Sequence, residues 1–181
     1  MSRLRRLVLS DRFFFVTVKL LPKRRPLDEG QFSLLAGCLS TVRSRRRFRL
    51  TAWVFLPDHW HVILFPRHPL TISDAMKSIK LSSTNSLGKY RGEAGELWQG
   101  RFPSLRSRAG FDRALRTVKE YGETVEYIHL NPVRRGLAVH PGQWKWSSYH
   151  EYAGATPVEQ QTRCGLVIDR VQLPADENAR I

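Results

Sequence analysis

Two hydrophobic rhythms alternate along the chain, and their order restricts the folds open to it. Phe13-Phe14-Phe15-Val16-Thr17-Val18-Lys19-Leu20 is aromatic and β-branched, as a buried strand requires. After a basic turn from Pro22 to Pro26, Asp28 offers an N-cap and Glu29 suits the first turn of a helix. Phe32, Leu35, Ala36, Leu39 and Val42 then recur at helical spacing, up to the run Arg43-Ser44-Arg45-Arg46-Arg47. Phe48 to Leu56 and His59 to Phe65 read as two strands joined by the tight turn Pro57-Asp58, a hairpin. Ile72, Ala75, Met76, Ile79 and Leu87 mark a second helix, with Lys77 and Lys80 off its apolar face. A fourth strand is expected over Phe102 to Arg106, at an edge or beside a bulge because of Pro103. A third helix is expected from Gly110 to about Leu130, stopped by Pro132. The aromatic segment Gln143 to Tyr152 is expected to pack back onto the domain. The order strand–helix–strand–strand–helix–strand–helix predicts an α+β fold. It is the split β-α-β pattern of a ferredoxin-like or RRM-like antiparallel sheet, with helices on one face.

At 181 residues the chain fits one ordinary domain plus a tail. Residues 156–181 hold three arginines and four acids, lack clear periodicity and carry few large apolar side chains. They are expected to form a weakly structured tail to a domain over residues 1–155. No apolar stretch reaches the ~18 residues that a membrane helix needs, and two cysteines exclude a disulfide framework. The basic N-terminus lacks the long apolar run of a signal peptide, so a reduced, cytoplasmic and nucleoid-associated location is expected. The net charge is +14, with 30 lysines and arginines against 16 acids, and all of the excess lies outside the tail. A field of that size favours a polyanion as partner, nucleic acid above all.

One segment carries chemistry: Leu56-Pro57-Asp58-His59-Trp60-His61-Val62-Ile63. On a strand, residues two apart share a face, so His59 and His61 present two imidazoles side by side. Such a pair can hold one metal ion; it can equally be two hydrogen-bonded surface histidines. Trp60 and Val62 point the other way, into the core. On the third helix the apolar stripe is Phe111, Ala114, Leu115, Val118, Gly122, Val125 and Ile128. Tyr127 lies roughly opposite that stripe, and Arg113, Arg116, Glu120 and Asn131 are expected to share its face. It is either a half-buried packing residue or a nucleophile beside a metal. Tyr121 competes for that role but falls nearer the apolar stripe.

Five blocks occur in order: Phe13-Phe14-Phe15-Val16-Thr17, Leu-Pro-Asp-His-Trp-His, Leu97-Trp98-Gln99-Gly100-Arg101-Phe102, Tyr127-Ile128-His129-Leu130-Asn131-Pro132-Val133-Arg134 and Trp146-Ser147-Ser148-Tyr149. Together they resemble the single-tyrosine HUH transposases, and within them the REP-associated tyrosine transposases, over roughly residues 10–152. The resemblance implies an RRM-like fold and a DNA strand cleavage and transfer activity on single-stranded DNA with hairpin repeats. It assigns His59 and His61 as ligands of Mg²⁺ or Mn²⁺, and Tyr127 as the nucleophile that forms a 5′-phosphotyrosine link. Where relatives use a glutamine four residues after the tyrosine as a further ligand, this chain has Asn131. Asp58 stands where relatives often carry asparagine, and Ser10-Asp11-Arg12 replaces a Gly-Gly lead into the first strand. Relatives include dimers and members that act alone, so a monomer or homodimer is expected, with no nucleotide cofactor and no membrane partner.

Candidate DNA contacts are Arg12, Lys77, Lys80, Arg101, Arg106, Arg113, Arg116 and Arg134 for phosphates, with Phe13 and Trp98 for base stacking. For those two aromatics a place in the core is the alternative. Two rival readings stand beside the transposase: a non-catalytic RRM-like nucleic-acid-binding protein, and a replication-initiator or relaxase-type HUH nuclease.

Overall fold

The computed structural model describes residues 10–100 and 112–181. Four strands form one antiparallel sheet: β1 (Phe14–Lys19), β2 (Arg49–Phe55), β3 (His59–Phe65) and β4 (Asp112–Ala114), in the order β2-β3-β1-β4. The helices are α1 (Glu29–Arg46), α2 (Ile72–Arg91), α3 (Val118–Arg134), α4 (Tyr149–Tyr152) and α5 (Pro157–Cys164). This is the α+β, ferredoxin-like arrangement that the sequence order predicts.

The helices occupy both faces of the sheet, not the single face that the sequence order predicts. Alternation along the strands sends Phe14, Val16, Val18, Trp60 and Val62 to one side, where α1 and α2 close over them. The other side carries Ala52, Val54, Leu56 and Ile63, and there Tyr121, Val125 and Ile128 of α3 cover the sheet. A bulge between Leu50 and Ala52 inserts Thr51 and lets Leu50 and Trp53 enter the same core. The free edge of β2 is blunted by the Trp146-Ser147-Ser148 segment. Phe55 N donates to Trp146 O at 3.0 Å, and Ser148 N to Trp53 O at 3.0 Å. The aromatic segment therefore packs back as expected.

Asp28 caps α1 by accepting from Gln31 N, as its position suggests. The third helix departs from expectation at both ends. It begins at Val118, not Gly110, because Thr117 is its N-cap and accepts from Glu120 N. The Glu120 carboxylate accepts in turn from Arg116 N at 2.8 Å. Thr-x-x-Glu is a capping pattern that overrides the chance helical spacing of Ala114 and Leu115. Arg113 lies on β4 and Arg116 precedes α3, so neither shares the helical face of Tyr127. Pro132 lies inside the helix, which runs on to Arg134. Placed in the last turn, it removes a single intrahelical bond and does not end the helix. The strand expected over residues 102–106 lies outside the described residues; β4 is a three-residue strand further on.

Residues 156–181 are not weakly structured. Helix α5 opens on a Thr156–Glu159 capping box, and Gln160, Cys164 and Leu166 are buried. The chain beyond α5 returns to the start of α3. Val118 N donates to Ala179 O at 3.1 Å and Lys119 N to Glu177 O at 2.8 Å. With Thr117 accepting from Glu120 N, the three first-turn donors of α3 all have partners.

Candidate active site

On β1 and β3 the register pairs Lys19 with His59 and Thr17 with His61. Phe15, Thr17, Lys19, His59 and His61 therefore share the sheet face that α3 crosses. Tyr127 and Asn131 of α3 and Arg135 at its C-cap recur at four-residue spacing and line the cleft with those side chains. The cleft has a volume of about 420 Å³.

The two histidines are buried, and their Nε2 atoms stand 3.1 Å apart. Their outer nitrogens are held from behind. His59 Nδ1 meets Asp58 Oδ1 at 2.6 Å, and His61 Nδ1 meets Thr17 Oγ1 at 2.9 Å. Since a carboxylate only accepts, His59 Nδ1 carries the proton and Nε2 presents its lone pair to the cleft. Burial pushes His61 down to about 3, helped by the neighbouring His59 and Lys19 charges. Burial also lowers His59, against the pull of Asp58. Both rings are neutral at pH 7, which is the state that binds a metal.

The Asn131 side-chain nitrogen lies 3.2 Å from His61 Nε2. Rotation of the amide about its own axis places the oxygen there instead. Two converging imidazole lone pairs and one amide group fit a divalent cation well. Among the described residues no group of three histidine, cysteine or carboxylate side chains is placed to hold one ion, so a third donor would have to be of another kind, such as the Asn131 amide.

Asp58 is the hub behind His59. Its other oxygen receives Arg135 Nη2 at 2.5 Å. Burial opposes ionisation, yet the hydrogen bonds from His59 and Arg135 hold the Asp58 carboxyl below its usual range. The turn before His59 is thus tied to the C-cap residue of α3.

Tyr127 is 38% exposed, with its ring edge-on to His61 (5.4 Å between centroids) and to Phe15 (5.8 Å). The Arg134 guanidinium sits 5.4 Å from the Tyr127 ring centroid. Tyr121 is a core residue: it is 5% exposed, bonds the Tyr152 hydroxyl at 3.0 Å, and burial raises its phenol.

The candidate DNA contacts divide. Arg134 lies at the cleft. Arg113 pairs with Phe15 across the sheet but is held by Glu120 at 2.7 Å. Arg116 is exposed near the start of α3, and Arg12 is exposed before β1. Lys77 and Lys80 belong to α2, on the opposite side of the sheet from the cleft, and Lys80 donates to Gln99 O at 2.9 Å. Arg101 and Arg106 lie outside the described residues. Phe13 and Trp98 do not offer stacking faces. Phe13 packs between Phe65 and Tyr121, and Trp98 is 4% exposed and donates to Ser83 Oγ at 2.8 Å. Thr17, Lys19, Phe15 and Arg135 were missed. Strand alternation opposite the histidine pair could have found the first three, and spacing of eight from Tyr127 the last.

The model of the IS200-like transposase family matches residues 22–124, more than half of the chain. The chain belongs to the IS200-like transposases. The match includes the histidine pair and ends before Tyr127, whose place follows from the geometry above. A REP-associated tyrosine transposase of Escherichia coli K12 is 31% identical over 151 residues, spanning 83% of this chain and 84% of that relative. A solved REP-associated tyrosine transposase bound to a REP hairpin superposes with a TM-score of 0.69 at 28% identity. That superposition covers 100% of this chain and 99% of the other. The similarity thus runs to the REP-associated branch of the IS200-like transposases, and it spans the α5 segment as well as the sheet. No described helix is long and apolar enough to cross a membrane.

Proposed function

We propose that this transposase cleaves and rejoins single-stranded DNA beside hairpin repeats through a covalent bond to Tyr127. The observation that carries the reading is the edge-to-face contact of the Tyr127 ring with His61, whose Nε2 converges with that of His59. Tyr127 Oη attacks the scissile phosphorus. The bond to the 3′ oxygen breaks, and the departing 3′ hydroxyl takes up a proton while the phenol proton passes to solvent. The product is a 5′-phosphotyrosine that keeps the energy of the phosphodiester. Attack by another 3′ hydroxyl reverses the step and joins strands without ATP. Arg134, Arg135 and Lys19 bring positive charge to the side of the cleft where phosphate charge builds. A divalent ion, Mg²⁺ or Mn²⁺, on His59, His61 and Asn131 would polarise the phosphate oxygens. Thr17 and Asp58 hold the two rings in the orientation that this requires. DNA with hairpin repeats as substrate rests on the relatives.

A non-catalytic RRM-like protein would bind bases on an open sheet. Here α3 occupies one face and α1 with α2 the other, and Phe13 and Trp98 are buried. The test is a covalent-adduct assay on labelled hairpin DNA from repeats flanking the gene, with Mn²⁺ or Mg²⁺. A denaturant-resistant band that requires the ion, His59 and Tyr127 is expected. A band that survives Tyr127→Phe overturns the assignment of the nucleophile, and binding without any adduct on a wide DNA pool overturns the chemistry.

A further inference from the structure

The cleft has two chemically different ends. Phe15, Thr17 and Lys19 line it in turn along β1, opposite Ile63, His61 and His59 of β3. Phe15 and Lys19 are therefore about 14 Å apart, at ~3.4 Å per residue. Helix α3 follows the same axis. The Tyr127 ring lies at the Phe15 end, 5.8 Å from Phe15 and 5.4 Å from His61. Asn131 comes next, with its side-chain nitrogen 3.2 Å from His61 Nε2. Arg135 completes the row at Asp58, whose backbone oxygen accepts from Leu20 N at 2.8 Å, beside Lys19. Tyr127 and Lys19 thus stand at opposite ends, with the converging Nε2 atoms of His59 and His61 between them.

Displacement at phosphorus runs in line: the attacking oxygen enters opposite the oxygen that leaves. With Tyr127 on one side of the phosphorus, the leaving 3′ oxygen faces the end that holds Lys19, Asp58, His59 and Arg135. Arg135 is paired with Asp58, Asp58 holds His59 Nδ1 at 2.6 Å, and His59 turns its Nε2 to the same point as His61. Neither a carboxylate nor an imidazole lone pair relieves negative charge on an oxygen. Arg134 belongs to the other end, 5.4 Å from the Tyr127 ring centroid. Lys19 brings an ammonium to the leaving side. Burial is the main cause that lowers His59 and His61, and the Lys19 charge adds to it at both, so the ammonium lies within electrostatic reach of each ring.

We propose that Lys19 serves the leaving group: its ammonium donates a hydrogen bond to the 3′ oxygen as that oxygen departs from phosphorus. The proposal rests on the cleavage reading above. As Tyr127 Oη bonds to phosphorus, the bond from phosphorus to the 3′ oxygen breaks, and its electron pair stays on that oxygen. The Lys19 N–H groups hold the charge until the oxygen takes a proton from solvent and becomes the 3′ hydroxyl. In rejoining, the same ammonium receives the oxygen of the incoming 3′ hydroxyl at the same place. A fixed strand polarity follows. The piece that ends in the 3′ hydroxyl lies toward the Pro57-Asp58 turn, and the piece joined to Tyr127 lies toward Phe15.

The test replaces the departing oxygen with sulfur. A thiol is far more acidic than an alcohol, with a pKa of about 8.5 for cysteine, so a 3′-thiolate leaves without a donor. Single-turnover adduct formation is measured on single-stranded hairpin DNA from the repeats flanking the gene, and on the same strand with a bridging 3′ sulfur at the cleaved bond. DNA is saturating, and Mn²⁺ is raised to saturation. Lys19 is exposed, so Lys19→Met removes the charge, keeps the length and leaves the core intact. It should slow adduct formation on the ordinary strand by about 100-fold, as loss of one donor to a developing oxyanion does. On the sulfur strand its rate should stay within about threefold of the unaltered protein. Lys19→Arg should be faster than Lys19→Met on the ordinary strand. Rejoining, the reverse step, should slow by the same factor as cleavage. Titration of Mn²⁺ by electron paramagnetic resonance, without DNA, should show the ion still bound by Lys19→Met. Equal slowing on the two strands overturns the proposal. So does unchanged cleavage of the ordinary strand, or a loss that disappears as Mn²⁺ is raised, which assigns the effect to the ion site. No adduct from the unaltered protein on either strand overturns the cleavage reading itself, and the proposal with it.

Discussion

The rings of Tyr127 and His61 meet edge to face, 5.4 Å apart at an interplanar angle of 67°. One belongs to α3 and the other to β3, so the contact is where the helix meets the sheet at the reactive end. Tyr127→Phe keeps the ring and this contact while deleting the oxygen proposed to attack phosphorus. Adduct formation should fall by at least about a thousandfold with the melting temperature nearly unchanged. Tyr121→Phe should do the reverse: activity per folded molecule persists, and stability drops by about 1 kcal/mol as a buried hydroxyl pair is lost. Single-turnover cleavage and thermal melting distinguish the two.

Asp58 sets the direction of His59 and is itself gripped by Arg135. Asp58→Ala should weaken Mn²⁺ binding by about 10–100-fold, the usual effect of losing a partner behind a ligating histidine. Arg135→Gln should weaken it less, since the carboxylate still reaches His59. Titration of Mn²⁺ by electron paramagnetic resonance measures both without DNA. A chelator should abolish adduct formation, and Asp58→Ala should need more added ion to restore it.

Buried Glu151 accepts from Ile168 N at 3.0 Å, and burial pushes its carboxyl up to about 6. The folded state therefore favours the protonated acid relative to an unfolded chain with a value near 4.5. That contribution is complete below about pH 4.5 and is lost as pH rises through about 6. The difference is on the order of 2 kcal/mol. Glu151→Gln should remove the dependence, so that the variant gains on the unaltered protein between about pH 4.5 and 8. Denaturant midpoints across that range test it.

The last residues hold the first turn of α3 through Ala179 O and Glu177 O. Removing residues 171–181 takes away those acceptors together with Val171, Leu173 and Ile181, which pack on the second core. Amide exchange at Val118 and Lys119 should quicken strongly while the central strands stay protected. Cleavage should slow, since Tyr127 rides on the loosened helix.

The hairpin of β2 and β3 was legible because local signals agreed there. A proline–aspartate turn separates two β-branched runs, and β3 spans His59–Phe65 as read. The histidine pair followed from strand alternation alone. The start of α3 was not legible from apolar spacing, since Ala114 and Leu115 continue the helical rhythm by coincidence while β4 forms only by pairing with β1. The Thr117–Glu120 cap was the decisive signal. Phe13 and Trp98 show a different limit: an aromatic side chain serves a core or a base equally well, and only tertiary packing decides. Gln160 is the same lesson in the tail. It is polar in the sequence, yet it is buried, with its amide donating to Ser147 O at 3.0 Å.

Tyr127 and Asn131 lie one turn apart on α3 and reach His61 on β3 of their own chain, and Arg135 at the C-cap reaches Asp58 in the turn before β3. The proposed reactive groups therefore come from one chain. Two crippled proteins, one carrying Tyr127→Phe and the other His59→Ala, should not rescue each other when mixed, because neither can lend its intact half.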